Sequence, residues 1–281
     1  RDLILKTIKI SDTVEDLIET EDQIKEGGKD DIPSILPILP LRGLVVYPET
    51  AVPLTIGQPR SIRLVDDVVS ADKRYIGLVA SKDPSLEAPG PDDLYEVGTV
   101  AVIHRLFRAP DGTIRLLVQG LTRYRLGEFS QLEPYLKANI ELLEEVEEEN
   151  IEIEALARNA RDQFAKIAEL IPSIPRELVE SVMLLEDPSQ TVYTIANFQR
   201  IELEDAQEIL EIDSVAEKLR RLAALLAREL EVLEIGQKIQ NEARSEIEKV
   251  QREYFLREQL KAIQKELGES DEQTVEIEEF R

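Results

Sequence analysis

Apolar and β-branched side chains crowd the stretch from Ser34 to Gly57, and prolines break the run at short intervals. The pattern predicts two short strands, over residues 36–41 and 52–56, with turn chemistry between them at Arg42-Gly43 and Tyr47-Pro48-Glu49-Thr50. Pro37, Pro40 and Pro53 have no N–H to give to a ladder. That puts them at edges, bends or bulges and predicts a small, strongly curved, barrel-like sheet. Residues 59–71 then place Ile62, Val65, Val68 and Val69 at helical spacing, which predicts one short helix inside the sheet sequence. Strand patterning returns over 75–81, and 82–93 reads as a loop rich in proline and acid. Residues 97–107 and 113–120 flank Ala109-Pro110-Asp111-Gly112 as a hairpin, and two further strands are predicted over 121–129 and 135–143.

From Asn150 the hydrophobic period changes from 2 to 3.6. Residues 151–171 repeat apolar positions at Ile153, Leu156, Ala160, Phe164, Ile167 and Leu170, and Pro172 and Pro175 end that helix and begin the next. Shorter helices follow over 177–185, 190–198 and 205–210, with Asp187 and Asp213-Ser214 as helix starts. Residues 214–268 form one helical pattern without proline. At 1.5 Å per residue it reaches about 80 Å, too long to be wrapped by a domain of this size. Its first part, with Leu219, Leu222, Leu226, Leu230 and Leu233, has apolar residues to pack on the preceding helices. Beyond Gly236 they thin to a seam of Ile239, Ala243, Ile247, Val250, Tyr254, Leu256, Leu260, Ile263 and Leu267, three and four apart, as in a coiled coil. The fold class expected is α+β: a small, mainly antiparallel β-module with one helix, then a helical bundle ending in a projecting helix.

Charge separates these parts. The 281 residues carry a net charge of -24, but residues 36–143 are nearly neutral at -1 while 144–281 hold -18. Nucleic acid is therefore not an expected partner, because phosphate binding needs a basic face. The arginines at 105, 108, 115, 123 and 125 read as solvated strand positions. There is no cysteine, so neither disulfides nor thiolate metal sites are available. No apolar run nears the roughly 18 residues of a membrane span, so no membrane partner is expected and the location expected is cytoplasmic. Residues 1–33 read as an acidic, flexible tail ending in a Gly27-Gly28 linker.

Catalytic patterns are missing. None of the 12 glycines falls in a phosphate-cradling motif, and the single histidine, His104, lies in a predicted strand with no nearby serine. The acidic runs at 144–149 and at Asp92-Asp93 lack the alternating spacing of a calcium loop and read as solvated.

Two motifs carry a resemblance. Pro40-Leu41-Arg42-Gly43 followed by Val45-Val46-Tyr47-Pro48 resembles the opening signature of the amino-terminal domain of Lon proteases, and residues 251–268, QREYFLREQLKAIQKELG, are similar almost throughout to the long helix that joins this domain to the Lon motor. The resemblance covers residues 34–281 and implies a substrate-engaging amino-terminal region, cut before the ATPase motor and serine-lysine peptidase. It implies no cofactor in this chain, with ATP and Mg belonging to the missing motor. It also implies unfolded or damaged proteins as partners and a hexamer as the full-length assembly.

The expected divisions are a tail over 1–33, the β-rich module over 34–145, a helical bundle over 146–235 and the projecting helix over 236–281. Leu44, Tyr47, Leu94, Tyr95, Leu106 and Phe107, at or near predicted turns, are the candidate client-binding residues. Ile247, Val250, Tyr254, Leu256, Leu260, Ile263 and Leu267 are the candidate oligomerisation residues. The alternative reading is a purely structural oligomerisation domain.

Overall fold

In the computed structural model the described residues are 31–71, 74–146, 150–199 and 201–266. The expectations for a tail before residue 31 and for Leu267 lie outside them. The chain divides into two compact units. One runs to Glu144 and takes in Glu202–Glu211; the other holds Glu145–Ile201 and the chain from Ile212 onward.

The first unit contains β1 (Ile35–Leu41), β2 (Ala51–Ile56), α1 (Pro59–Val69), β3 (Tyr75–Ala80), β4 (Val97–Arg108), β5 (Ile114–Gln131) and β6 (Lys137–Leu143). The strands are ordered β2-β5-β4-β3-β1-β6, and β5 also pairs with β6. Five strands thus close into a small barrel, and β2 hangs from β5 as an edge. All pairings are antiparallel except β1 with β3.

The prolines explain how β1 and β2 are used. Pro53 lies on the edge strand β2, where a missing donor costs nothing. β1, by contrast, has neighbours on both sides, contrary to a simple edge placement. It accommodates Pro37 and Pro40 because β6 pairs only with Ile35, Leu36 and Pro37, whereas β3 pairs only with Ile38 through Leu41. Where the sequence predicts separate strands over 113–120 and 121–129, there is one strand of 18 residues. Its start pairs with β2 and β4 and its end with β6, and register shifts between Leu126 and Gln131 bend it across the barrel.

Two apolar clusters fill this unit. Leu41, Val52, Leu54 and Ile56 pack with Leu64, Val65 and Val68, which form one face of α1. Leu36, Ile38, Val79, Val100, Tyr124 and Leu136 form the second. Burying each large side chain of these sets contributes about 1.5–3 kcal/mol before the entropy of ordering it.

α5 (Leu203–Glu211) belongs to this unit rather than to a helical bundle. Three buried polar side chains, two from the β-module and one from the helix, hold it. The Tyr47 hydroxyl donates to the Ala206 carbonyl at 3.0 Å, and Arg123 Nη1 donates to the Leu210 carbonyl at 3.0 Å. From the helix itself, Gln207 Nε2 donates to the Val97 carbonyl at 2.9 Å. Arg123 is therefore not a solvated strand residue. It is 1% exposed, and its Nη2 also bonds the Glu144 carbonyl. A guanidinium suits this place because its donors can serve two acceptors at once near the carboxyl end of a helix.

The second unit contains α2 (Ile151–Leu170), α3 (Arg176–Met183), α4 (Pro188–Phe198) and α6 (Val215–Glu266). Asn150 caps α2 by accepting from the Glu152 N–H, and Asp187 caps α4 through the Ser189 N–H. Ile153, Ala157, Ala160, Phe164 and Ile167 make the buried stripe of α2, facing Leu219, Leu222 and Leu226 of α6 and Val192 and Ile195 of α4. Burial along α6 ends at Leu226, and Leu230 and Leu233 are only half-buried. From residue 237 to Glu266 every residue is exposed. No described helix is long and apolar enough to cross a membrane.

Candidate functional site

Burial sorts the six residues expected to meet a client. Tyr47 and Leu94 are 2% and 3% exposed, so both are core and neither can offer its side chain to a partner of the folded module. Tyr47 looks like a turn residue because Pro48 follows it, yet its ring is drawn inward and its hydroxyl spent on α5. Burial pushes its phenol pKa up. Tyr95 and Leu106 are half-buried, each packed against one of the two apolar clusters. Leu44 and Phe107 are exposed, Phe107 to 60%. Alternation along β4 turns Leu106 toward the core and Phe107 outward, opposite Arg115 of β5. Ile35, Leu132 and Leu142 are also exposed and were not singled out by the sequence, because nothing local marks which face of a curved strand meets water.

Leu44 opens onto a cleft of about 290 Å³ between the end of β1, β2 and the start of α1. Its walls include Pro40, Pro53 and Pro89, and Arg42, Arg60 and Glu87 are its charged residues. Gly43 shapes the approach: with φ of +66° it adopts a backbone conformation that other residues reach only with strain, just before Leu44 turns outward. Phe107 is not part of this cleft and stands on the β4–β5 hairpin, so the two exposed candidates do not share a pocket. Motif reading noticed Pro40, Arg42 and Pro53 only as punctuation; that they converge with Arg60 follows from the pairing of their strands with different neighbours.

On α6, Ile247, Val250, Tyr254, Leu256, Leu260 and Ile263 are each more than half exposed. The exposed surface around them carries Arg244 with Glu248 at i,i+4 and Glu258 with Lys261 at i,i+3, pairs that support a solvated helix. Apolar side chains at this spacing, with no element of the same chain over them in the described residues, form a surface that another helix can cover.

The ionisable side chains that find hydrogen-bond partners inside the fold serve structure. His104 sits at a register shift in β4, with its Nε2 2.6 Å from Gln119 Oε1 of β5. In the second unit Lys218, fully buried, bonds Glu145 and the Tyr193 hydroxyl, and its ammonium lies 4.6 Å from the Tyr193 ring centre. Burial pushes the Glu145 carboxyl up, but the Lys218 ammonium and hydrogen bonds from Lys218, Tyr193 and Ser189 outweigh it and hold the pKa below the ordinary value. Enclosed on all sides, Lys218 is a brace rather than a reactive amine.

Comparison with known proteins agrees with this architecture. A family model described as the ATP-dependent protease La (LON) substrate-binding domain matches residues 35–228. The Lon protease of Dictyoglomus thermophilum is 51% identical over 251 residues, which are 89% of this chain and 31% of that protein. The Lon protease of Escherichia coli K12 is 41% identical over 237 residues, 84% of this chain and 30% of the relative. The chain thus spans about a third of the length of the curated relatives it matches. Among solved structures, the N-terminal domain of a Mycobacterium avium complex Lon protease aligns with a TM-score of 0.59 at 20% identity, over 69% of this chain and 98% of that one. The Lon N-terminal domain protein from Xanthomonas campestris aligns at 0.50 and 18%, over 68% and 98%. At such identities the two structures speak for the fold alone. The family model spans more than half of the chain and the curated matches are Lon proteases, so this chain belongs to the Lon substrate-binding domain family and corresponds to the amino-terminal part of a Lon protease.

Proposed function

We propose that this chain is the non-catalytic, client-engaging part of a Lon-type ATP-dependent serine protease. It recognises unfolded or damaged protein through apolar side chains of the barrel unit and supports assembly through α6. ATP hydrolysis with Mg and peptide-bond cleavage belong, in this reading, to the two-thirds of the relatives that the chain does not span. The observation that carries it is the pairing of a substrate-binding family match with a nearly neutral module that leaves Leu44 and Phe107 in water. A chemically denatured, labelled client should bind the chain, and Phe107→Ser should weaken that binding while leaving the melting temperature unchanged. A chain that binds no denatured client overturns the reading.

A second role, assembly, rests on the exposed seam of α6. A hexamer for the whole protease is the assembly proposed from the family, with these helices supplying contacts between copies. If α6 self-associates and the barrel unit binds no client, the purely structural reading takes over.

A further inference from the structure

The cleft beside Leu44 lies between two strand edges that are both left open. β1 gives residues Leu39 to Leu41 to β3 on one side, and among the described residues no strand pairs with them on the other. Among the described residues β2 likewise pairs only with β5. Two facing open edges would ordinarily invite an extended peptide to add as a strand. Here Pro40 stands on one edge and Pro53 on the other, and each removes a backbone donor. A strand running through the cleft therefore cannot be held by a regular ladder. What remains is apolar contact from Leu44 and the proline rings, together with two arginines against one glutamate. The start of α1 lies at the same place, with no side chain capping it, and adds potential of the same sign.

We infer that this cleft takes the free carboxyl terminus of a client chain whose last residues are apolar. The inference rests on the client-binding reading above and narrows it to one kind of segment. A terminus differs from an internal segment in carrying its charge on the backbone itself. A guanidinium that holds the carboxylate thus fixes the peptide without ladder bonds, and Arg can do so with two parallel hydrogen bonds. The small size of the cleft favours an end over a chain passing through. Arg42 is exposed and Arg60 half-buried, so both can turn to meet a carboxylate. The occupant is thus a peptide end with one negative charge beside one or two aliphatic side chains.

The test uses the whole chain and fluorescence anisotropy of three labelled peptides: one ending in Ala-Leu-Val with a free carboxylate, the same peptide as its terminal amide, and the amide with a glutamate inserted before the apolar residues. The free acid should bind at least tenfold more tightly than the amide, with a gap that narrows as salt rises. The double variant R42Q/R60Q should abolish that gap while leaving the weak binding of the amide and the circular dichroism spectrum unchanged. Equal binding of acid and amide overturns the inference, as does a glutamate peptide that binds as tightly as the free acid. If denatured client still binds in either case, the broader reading stands without this site. If neither peptide nor client binds, both fall.

Discussion

Lys218 Nζ lies 2.6 Å from Glu145 Oε1, joining the first turn of α6 to the residue at which the chain leaves the β-module, 73 positions earlier. The Tyr193 hydroxyl bonds the same carboxylate oxygen from α4, so two helices of the second unit and the segment that leads into it meet at one charge pair. Val146 continues the junction by donating its N–H to the Asp213 carbonyl. A buried ammonium needs such a partner, because leaving it alone costs more than the pair contributes.

Lys218→Met should therefore lower the unfolding free energy by about 3 kcal/mol, mainly through the carboxylate it strands. Denaturant titration measures the loss. Adding Glu145→Gln should restore part of it, because the stranded charge is gone; equal losses for the single and double variants would mean that Glu145 relaxes into water.

The same pair sets a pH dependence. The folded pKa of Glu145 lies below its ordinary value, so in the acid range the unfolded chain binds more protons at this group than the folded one. Its contribution is complete above the ordinary carboxylate value and is lost as pH falls through the folded value. Glu145→Gln should flatten that limb of the stability curve, read as melting temperature against pH.

Gly120 of β5 admits no side chain. A Cβ there would sit 2.1 Å from the Tyr47 carbonyl oxygen, which is backbone and cannot swing aside. Gly120→Ala should destabilise the barrel unit by about 3 kcal/mol through overpacking. Thermal melting checks this, and a loss below about 0.5 kcal/mol would show that the Tyr47 segment shifts freely.

Arg123→Leu keeps the apolar stem and removes the donors to the Leu210 and Glu144 carbonyls. The expected cost is about 2–3 kcal/mol, because the buried Leu210 carbonyl and the partly buried Glu144 carbonyl lose their partner. Hydrogen exchange should quicken first in Leu203–Glu211, whose anchoring on the β-module then rests on Tyr47, Gln207 and apolar contact.

The seam of α6 should drive reversible self-association. Each covered side chain among Ile247, Val250, Leu256, Leu260 and Ile263 is worth about 1.5–3 kcal/mol before the cost of association. Sedimentation should show a concentration-dependent oligomer that L256E/L260E returns to monomer. A wild-type chain that stays monomeric at high concentration would remove the assembly role.

Periodicity along the chain was enough to place nearly every element, because alternation and 3.6-residue repeats are local and survive without knowledge of the partner. The exposed part of α6 was legible for the same reason: its apolar positions narrow to a seam beyond Gly236, and no other stretch could widen it. Which side of a local pattern meets water was decided by residues far away. Tyr47 is core because α5, 159 residues later, supplies an acceptor for its hydroxyl, and Arg123 is core because the same helix ends over it. β5 stays one strand because β2, β4 and β6 take successive parts of it, a relation no window of sequence contains. The cleft exists only where two proline-bearing edges fail to meet. The sequence by itself therefore determined the elements and the family, whose signatures are runs of adjacent residues. Burial and convergence depend on contacts between distant segments, and those only the tertiary structure decided.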